Sequence, residues 1–309
     1  MNDKEFGQRV RQLRETANLT REQFCDDELE LSVRQLTRIE AGTSKPTFSK
    51  IQYIATRLGM GLYELMPDYV SLPERYSKLK FDVLRTPTYG DEELVEKRDA
   101  IMTEIYDDYY DDLPEEEKIV VDTLCSLFDV LDTDSQEYGK EILDDYLHQS
   151  YHRVKVSIND LMILRLFVEH CELETLASGT ENYTLFIDLV EKLPQATYDV
   201  QSESLFIVRD LLLAIVRILF SKELYGYVPV YIEKIENIME LSQDFQKKPI
   251  LNLVKWKYEL KEKHNREGAE RYYNEAITLA SLLNQTHLKE KLQTEWEQDM
   301  KTAECSGSV

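Results

Sequence analysis

The sequence predicts an all-α protein, a compact helical head followed by a long body of α-solenoid type. Three observations carry this. Apolar residues recur at helical spacing along almost the whole chain, and no stretch alternates convincingly as a half-buried strand does. Only 10 glycines and 8 prolines interrupt 309 residues, which favours long helices. Near the N-terminus two short helices each carry a start signal, Thr20 three residues before Gln23 and Ser32 three before Gln35, the spacing of a capping box.

The head spans residues 1–66. Residues 3–17 form an amphipathic helix with Phe6, Val10, Leu13 and Ala17 on one face and Arg9, Arg11 and Arg14 around the rest. The two capped helices lie within Thr20–Gly42. Gly42 ends the second of them as a left-handed cap and Pro46 blocks its continuation. Such a pair is a unit that places one helix in a DNA major groove. From Thr47, the apolar positions Ile51, Ile54, Ala55 and Leu58, then Leu62 and Leu65 beyond the Gly59/Gly61 break, complete a bundle of about five helices.

Charge divides the chain. The formal net charge is −22, yet residues 1–66 carry ten Lys/Arg and ten Asp/Glu, leaving 27 basic and 49 acidic groups to the rest. A neutral head contacts phosphates only if its arginines share a face, and an acidic body opposes that contact. The acidic excess is dense from Asp91 to Glu117, with 13 carboxylates and two basic residues, and reads as a solvated face. A sharper expectation is that part of the acidic body competes with DNA for the head's arginines.

Residues 67–73, with Pro67 and Pro73, read as a short stiff linker. The body, 74–286, divides at Gly/Pro/Asn/Asp-rich breaks into helices near 74–85, 91–110, 114–131, 135–151, 157–173, 181–192, 202–222, 228–241, 248–264 and 267–284. An eleventh, 287–301, carries Leu288, Leu292, Trp296 and Met300 as one stripe, and is expected to cap the solenoid and to serve dimerisation. Residues 302–309 are expected to fray.

Enzyme chemistry finds little support. There is no P-loop, no G-x-S-x-G and no G-x-G-x-x-G, and the i, i+4 pair His148/His152 lacks the glutamate of H-E-x-x-H and a local third ligand. We therefore expect no catalytic activity, no metal and no cofactor. Cys25, Cys125, Cys171 and Cys305 are far apart without a C-x-x-C, which suits reduced thiols. No apolar run reaches ~18 residues and MNDKEFGQRV has no apolar signal core, so a soluble cytoplasmic protein without membrane contact is expected.

On the second capped helix, Arg34, Gln35 and Arg38 fall on the early turns. Arginine suits guanine and glutamine suits adenine as bidentate partners. Thr37, Lys45 and Lys50 are candidate phosphate contacts, as is Arg57. In the body, Arg165, Arg209 and Arg217 stand within apolar helices, where each needs a carboxylate partner or a wet groove. An internal ion pair with Glu169, Asp210 or a neighbouring helix is one outcome and contact with a bound peptide the other. Asn237, Asn252 and Lys255 are further candidates for peptide backbone or a terminal carboxylate.

Three resemblances follow from these residues. The order LT-x-x-x-F-C, LS-x-x-x-L-T-R-I-E-A-G, KP and I-x-x-IA-x-x-L resembles the Cro/repressor-type helix-turn-helix of xenobiotic-response-element regulators. It departs by one extra residue between the helices and by the acidic run Asp26–Glu30 in place of the turn glycine. In EGAERYYNEAITLASLL, the spacing of Ala269, Tyr273 and Ala276 resembles a tetratricopeptide second helix, with KPILNLVKWKYELKEKH as its partner. The whole architecture resembles the Rgg-type quorum-sensing regulators, most closely those of the ComR type. That resemblance implies capture of a short hydrophobic peptide pheromone by the repeat groove, peptide-driven homodimerisation of a monomer, and binding to double-stranded promoter DNA of competence genes. The competing reading is a tetratricopeptide adaptor that binds a protein partner; the capped recognition helix argues against it.

Overall fold

The computed structural model describes residues 3–66, 72–153, 155–173, 176, 179–198, 200 and 204–306. Most of the linker expected at 67–73 and the last residues of the tail lie outside them. The chain separates into two compact units, Met1–Lys78 and Leu79–Val309.

The first unit contains α1 (Asp3–Thr16), α2 (Arg21–Cys25), α3 (Val33–Glu40), α4 (Phe48–Leu58) and α5 (Leu62–Leu65). Both capping boxes form. The Gln23 N–H donates to Thr20 Oγ1 (3.2 Å) while Gln23 Oε1 accepts from the Thr20 N–H (2.9 Å), and Gln35 and Ser32 repeat the exchange at 3.2 Å in each direction. Helix α3 ends in a Schellman motif. Gly42 has φ +68°, its N–H donates to the Ile39 carbonyl, and the Thr43 N–H donates to that of Arg38. The core gathers Phe6, Val10, Phe24, Leu31, Leu36, Ile39, Ile51, Ile54 and Leu65.

Helix α1 approaches the end of α3 closely because Gly7 has no side chain. A Cβ at Gly7 would lie 2.1 Å from the Ile39 carbonyl oxygen, a backbone atom that cannot swing away. Gly7→Ala is therefore expected to lower the head's stability by about 1–3 kcal/mol, measured by urea denaturation followed by circular dichroism.

One polar feature of the head differs from the amphipathic reading of α1. Arg14, placed by the sequence pattern among the solvent-facing positions, is buried and donates to Glu40 through Nε (2.6 Å) and an Nη (3.2 Å). Arg21 reaches the same carboxylate at 2.7 Å. The glutamate of the R-I-E-A-G segment thus gathers α1, α3 and the start of α2.

The second unit begins within α6 (Glu74–Arg85) and continues with α7 (Glu92–Asp108), α8 (Glu115–Thr133), α9 (Lys140–His152), α10 (Ile158–Leu173), α11 (Glu181–Lys192), α12 (Leu205–Ser221), α13 (Val228–Ser242), α14 (Lys248–Lys261), α15 (Arg266–Leu282) and α16 (Thr286–Ser306). These match the eleven helices read from the breaks, and α16 continues past residue 301. Helices α10 and α12 depart from the amphipathic pattern, since they are buried on nearly every side from Leu161 to Cys171 and from Phe206 to Leu219. A two-residue parallel ladder, β1 (Lys155–Val156) with β2 (Thr197–Tyr198), also forms. It is too short to leave an alternating signature.

The last helices pack through small residues. Ala269, Ala276 and Ala280 of α15 are fully buried, bringing its backbone against α14, whose Trp256 is likewise fully buried. Leu288 and Leu292 of α16 close this cluster. Trp256 Nε1–H donates to Asp299 (2.9 Å), and Lys257 pairs with Glu295 and Asp299. Helix α16 therefore caps its own repeat through apolar and charged contacts together.

Candidate functional site

Two regions bear on function, one in each unit. In the head, α3 buries Leu36 and Ile39 and leaves Arg34, Gln35, Thr37 and Arg38 exposed. Arg34 and Arg38, four residues apart, lie on one face. Gln35 Oε1 is committed to the cap and Thr37 Oγ1–H to the Val33 carbonyl, so the two arginines are the helix's long free-reaching side chains. Lys45 is exposed and Lys50 half-buried. Arg57 is occupied elsewhere. It donates to the carbonyls of Phe24 (2.9 Å) and Gln23 (2.6 Å) and faces Asp26, so it braces the end of α2.

The acidic turn before α3 is ordered by its own carboxylates. Asp26 and Glu28 take positive φ (54° and 60°), the task usually left to glycine. Asp27 accepts from the Leu29 N–H and Glu28 from the Val33 N–H, while Tyr53 and Arg57 bind the carbonyls that end α2. The acidic run thus substitutes side-chain hydrogen bonds for a glycine, and Glu28 adds a negative charge at the N-terminus of α3.

In the body the three arginines sit in carboxylate networks. Arg209 is 1% exposed and pairs with Asp210 (2.9 Å) and Asp244 (3.0 Å), the latter also held by Arg85 (2.9 Å). Arg165 pairs with Glu169 (2.5 Å) and donates to the Asp210 carbonyl; Arg217, with its side chain 47% exposed, also binds Glu169. All three arginines thus form the ion pairs that the sequence left open as one outcome. Burial alone would raise the Glu169 carboxyl, but the charges of Arg165 and Arg217 hold it below its ordinary value.

Two open cavities lie beside α14, one shared with α15 and the other with α13 and α15. The larger, about 760 Å³, is lined by Lys248, Asn252, Glu267, Glu270, Arg271, Asn274, Glu275, Thr278 and Leu279. A second, about 280 Å³, is lined by Pro229, Ile232, Glu233, Glu236, Lys255, Tyr258, Glu259, Lys263 and Tyr272. Helix α14 lines both, the larger through Lys248 and Asn252 and the second through Lys255, Tyr258 and Glu259. Lys255 and Lys248 converge on Glu236 at 2.6 and 2.8 Å. Asn237 is exposed on α13 but lines neither cavity.

The sequence-predicted dimerisation stripe divides. Leu288 and Leu292 are buried in the same chain, Trp296 stacks on Tyr273 (4.5 Å between centroids), and Met300 is half-buried. Among the described residues no group of three or more His, Cys, Asp or Glu is placed to hold a metal ion. No described helix is long and apolar enough to cross a membrane. Cys25 and Cys171 are buried, Cys125 is half-buried, and the three are free thiols. Cys305 lies where side chains are not described.

Comparison with known proteins decides the family. The model of the ComR tetratricopeptide domain matches residues 73–296, well over half of the chain, and a helix-turn-helix domain model matches residues 5–65. The chain belongs to the ComR family. It is 58% identical to ComR from Streptococcus suis, whose crystal structure aligns over 97% of this chain and 96% of that one with a TM-score of 0.64. ComR from S. thermophilus, solved in complex with DNA and its signalling peptide ComS, is 28% identical over 95% of this chain and 99% of that one (TM-score 0.66). The competence regulator ComR from Streptococcus vestibularis, in complex with its cognate signalling peptide XIP, is 30% identical over 96% and 99% (TM-score 0.66). A comparison with curated proteins returns no match. ComR-type proteins are transcriptional regulators rather than enzymes, in keeping with the absence of a catalytic motif.

In this ComR-family chain, sequence reasoning found α3 but missed most of the groove. Only Asn252 and Lys255 among the groove residues stood out, as candidates for peptide backbone or a terminal carboxylate. Glu267, Glu270, Arg271, Asn274 and Glu275 read as the ordinary polar face of α15. Their spacing along one stripe was visible, but nothing in the sequence said that α14 leaves that stripe uncovered.

Proposed function

We propose that this chain is a cytoplasmic regulator of competence genes that binds a short hydrophobic signalling peptide in the groove along α14, dimerises, and binds promoter DNA through α3. The observation that carries the reading is the doubly capped α3 presenting Arg34 and Arg38 on one exposed face. The S. thermophilus and S. vestibularis relatives, solved with DNA and a signalling peptide or with a signalling peptide, support it. Arg34 and Arg38 read base edges, Lys45 and Lys50 position the helix on phosphates, and Gln35 and Thr37 join them by exchanging their bonds to the cap and to the Val33 carbonyl for bonds to DNA. Among the body candidates, Asn252 and Lys255 line the groove, whereas Arg165, Arg209, Arg217 and Asn237 lie off it; the arginines hold the carboxylate networks that support the repeats. Helix α16, with Trp296 and Met300 on its less buried part, contributes to the dimer.

The test is light scattering with and without synthetic hydrophobic peptides, followed by titration of DNA duplexes selected by the peptide-loaded protein. Arg34→Ala and Arg38→Ala are each expected to weaken binding by about 1–3 kcal/mol and to relax base preference, whereas Lys45→Ala and Lys50→Ala weaken all duplexes alike and flatten the salt dependence. A protein that stays monomeric with every peptide and selects no duplex overturns the proposal.

A further inference from the structure

The turn that joins α2 to α3 takes a backbone shape that its own residues oppose. Cys25 and Leu31 are fully buried at its two ends, and the five residues between them are exposed. Asp26 has φ 54° and ψ −113°, and Glu28 has φ 60°. Glycine adopts such conformations freely, whereas a residue with a Cβ resists them. They persist where the surroundings over-determine them.

Two side chains of α4 supply that constraint. Arg57 donates to the carbonyls of Phe24 (2.9 Å) and Gln23 (2.6 Å) and reaches the Asp26 carboxylate at 3.4 Å. The Tyr53 hydroxyl, one helical turn earlier, lies between the carbonyls of Cys25 (3.1 Å) and Phe24 (3.3 Å). Four residues apart, the two share a face of α4, which Ile51, Ile54 and Ala55 fix in the core. The carbonyls that a helix end leaves without partners are therefore met here from a rigid neighbour. A guanidinium fork spans two adjacent carbonyls in one plane, which a lysine ammonium matches poorly.

Resting on the DNA-binding reading above, we infer that Arg57 and Tyr53 are positioning residues for sequence recognition. They fix the strained turn, and through it the angle at which α3 carries Arg34 and Arg38, without touching DNA themselves. A two-helix unit reads bases only while its recognition helix keeps its orientation to the helix that crosses the backbone. Base contacts fail on a displacement of about 1 Å, whereas the attraction of flexible cations to phosphate tolerates it. Loosening the turn therefore removes discrimination between duplexes and keeps the attraction common to all of them.

The test is a ratio of affinities, measured on the full-length protein loaded with the synthetic hydrophobic peptide that dimerises it. One probe is a duplex selected by the wild-type chain, the other a duplex of equal length and shuffled sequence, each titrated with salt. Arg57→Lys keeps the charge and loses the fork. It is expected to lower the ratio roughly tenfold, with binding of the shuffled duplex and both salt slopes unchanged. Tyr53→Phe alters no charge and keeps the ring, and is expected to lower the ratio about threefold. Asp26→Gly removes the strain that the clamp opposes, so adding it to Arg57→Lys is expected to restore most of the ratio. A general loss of stability is not repaired in that way. Three results overturn the inference: an unchanged ratio in both single variants, a ratio that stays low once Asp26→Gly is added, or equal weakening of both duplexes by Arg57→Met that Arg57→Lys reverses, the mark of a phosphate contact. A wild-type chain that selects no duplex overturns the DNA-binding reading itself.

Discussion

Glu40→Ala is expected to unfold the head while the body stays folded. The Glu40 side chain is 2% exposed and Arg14 only 7%, so removing the carboxylate leaves a guanidinium in the interior with only the exposed Glu15, 3.6 Å away, as counter-charge. Breaking a buried pair from one side costs about 3–5 kcal/mol. A domain of this size rarely holds much more than that in reserve. Hydrogen exchange on the full chain is expected to show loss of protection throughout α1–α5 with α10 and α12 unchanged, and DNA binding is expected to vanish with it. The double variant Arg14→Met/Glu40→Met separates charge from packing. It removes both buried ions, leaves Arg21 free to turn to solvent, and is expected to recover most of the lost stability. Equal damage from the single and double variants would show that Glu40 acts through shape and not through charge.

The second large effect belongs to the body. Asp244 is buried where Arg209 and Arg85 converge, and Asp244→Ala is expected to cost about 3 kcal/mol, the low end for breaking a buried pair, because Arg209, 1% exposed, keeps only Asp210 as a carboxylate partner. Urea denaturation checks the size. The pH dependence checks the cause. Burial by itself would raise the Asp244 carboxyl, but the charge of Arg209, the Gln246 N–H and Arg85 outweigh it and hold the group below its ordinary value; Glu169 is lowered in the same manner by Arg165 and Arg217. Both groups bind protons more weakly folded than unfolded. Their contribution is complete above the ordinary carboxylate range and disappears as pH falls through the folded values. Body stability is thus expected to be flat near neutrality and to fall below about pH 4. The Asp244→Ala variant is expected to start lower and to fall less steeply.

Much of this architecture was legible because helices announce themselves locally. Thr20, Gln23, Ser32 and Gln35 state the start of two helices without reference to anything distant, and Gly42 states an end. The eleven body helices were readable for the same reason, since their breaks are turn chemistry and their periodicity is internal. What the sequence withheld is long-range. Arg14 continues the i, i+4 series of Phe6 and Val10 and so borders the apolar face, yet only the position of Glu40, 26 residues away, shows how its buried charge is met. Arg209 and Arg217 look alike in sequence, yet the side chain of one is 1% exposed beside Asp244 and that of the other 47%. The groove shows the limit most clearly. Its walls come from α13, α14 and α15, and a groove is defined by what fails to cover a surface, which no local pattern records.

The aromatic cluster beneath α16 has a practical side. The chain has two tryptophans, and both are in it: Trp256 meets Trp296 edge-on at 5.9 Å, with Tyr273 stacked against the latter at 4.5 Å. Emission excited selectively at tryptophan therefore comes from this one place. It reports whether the C-terminal helix is seated on the final repeat, and it is silent about the recognition helix. A fluorescence change on adding peptide is accordingly a signal from the cap, obtained without any label, and events in the head need an optical probe placed there on purpose.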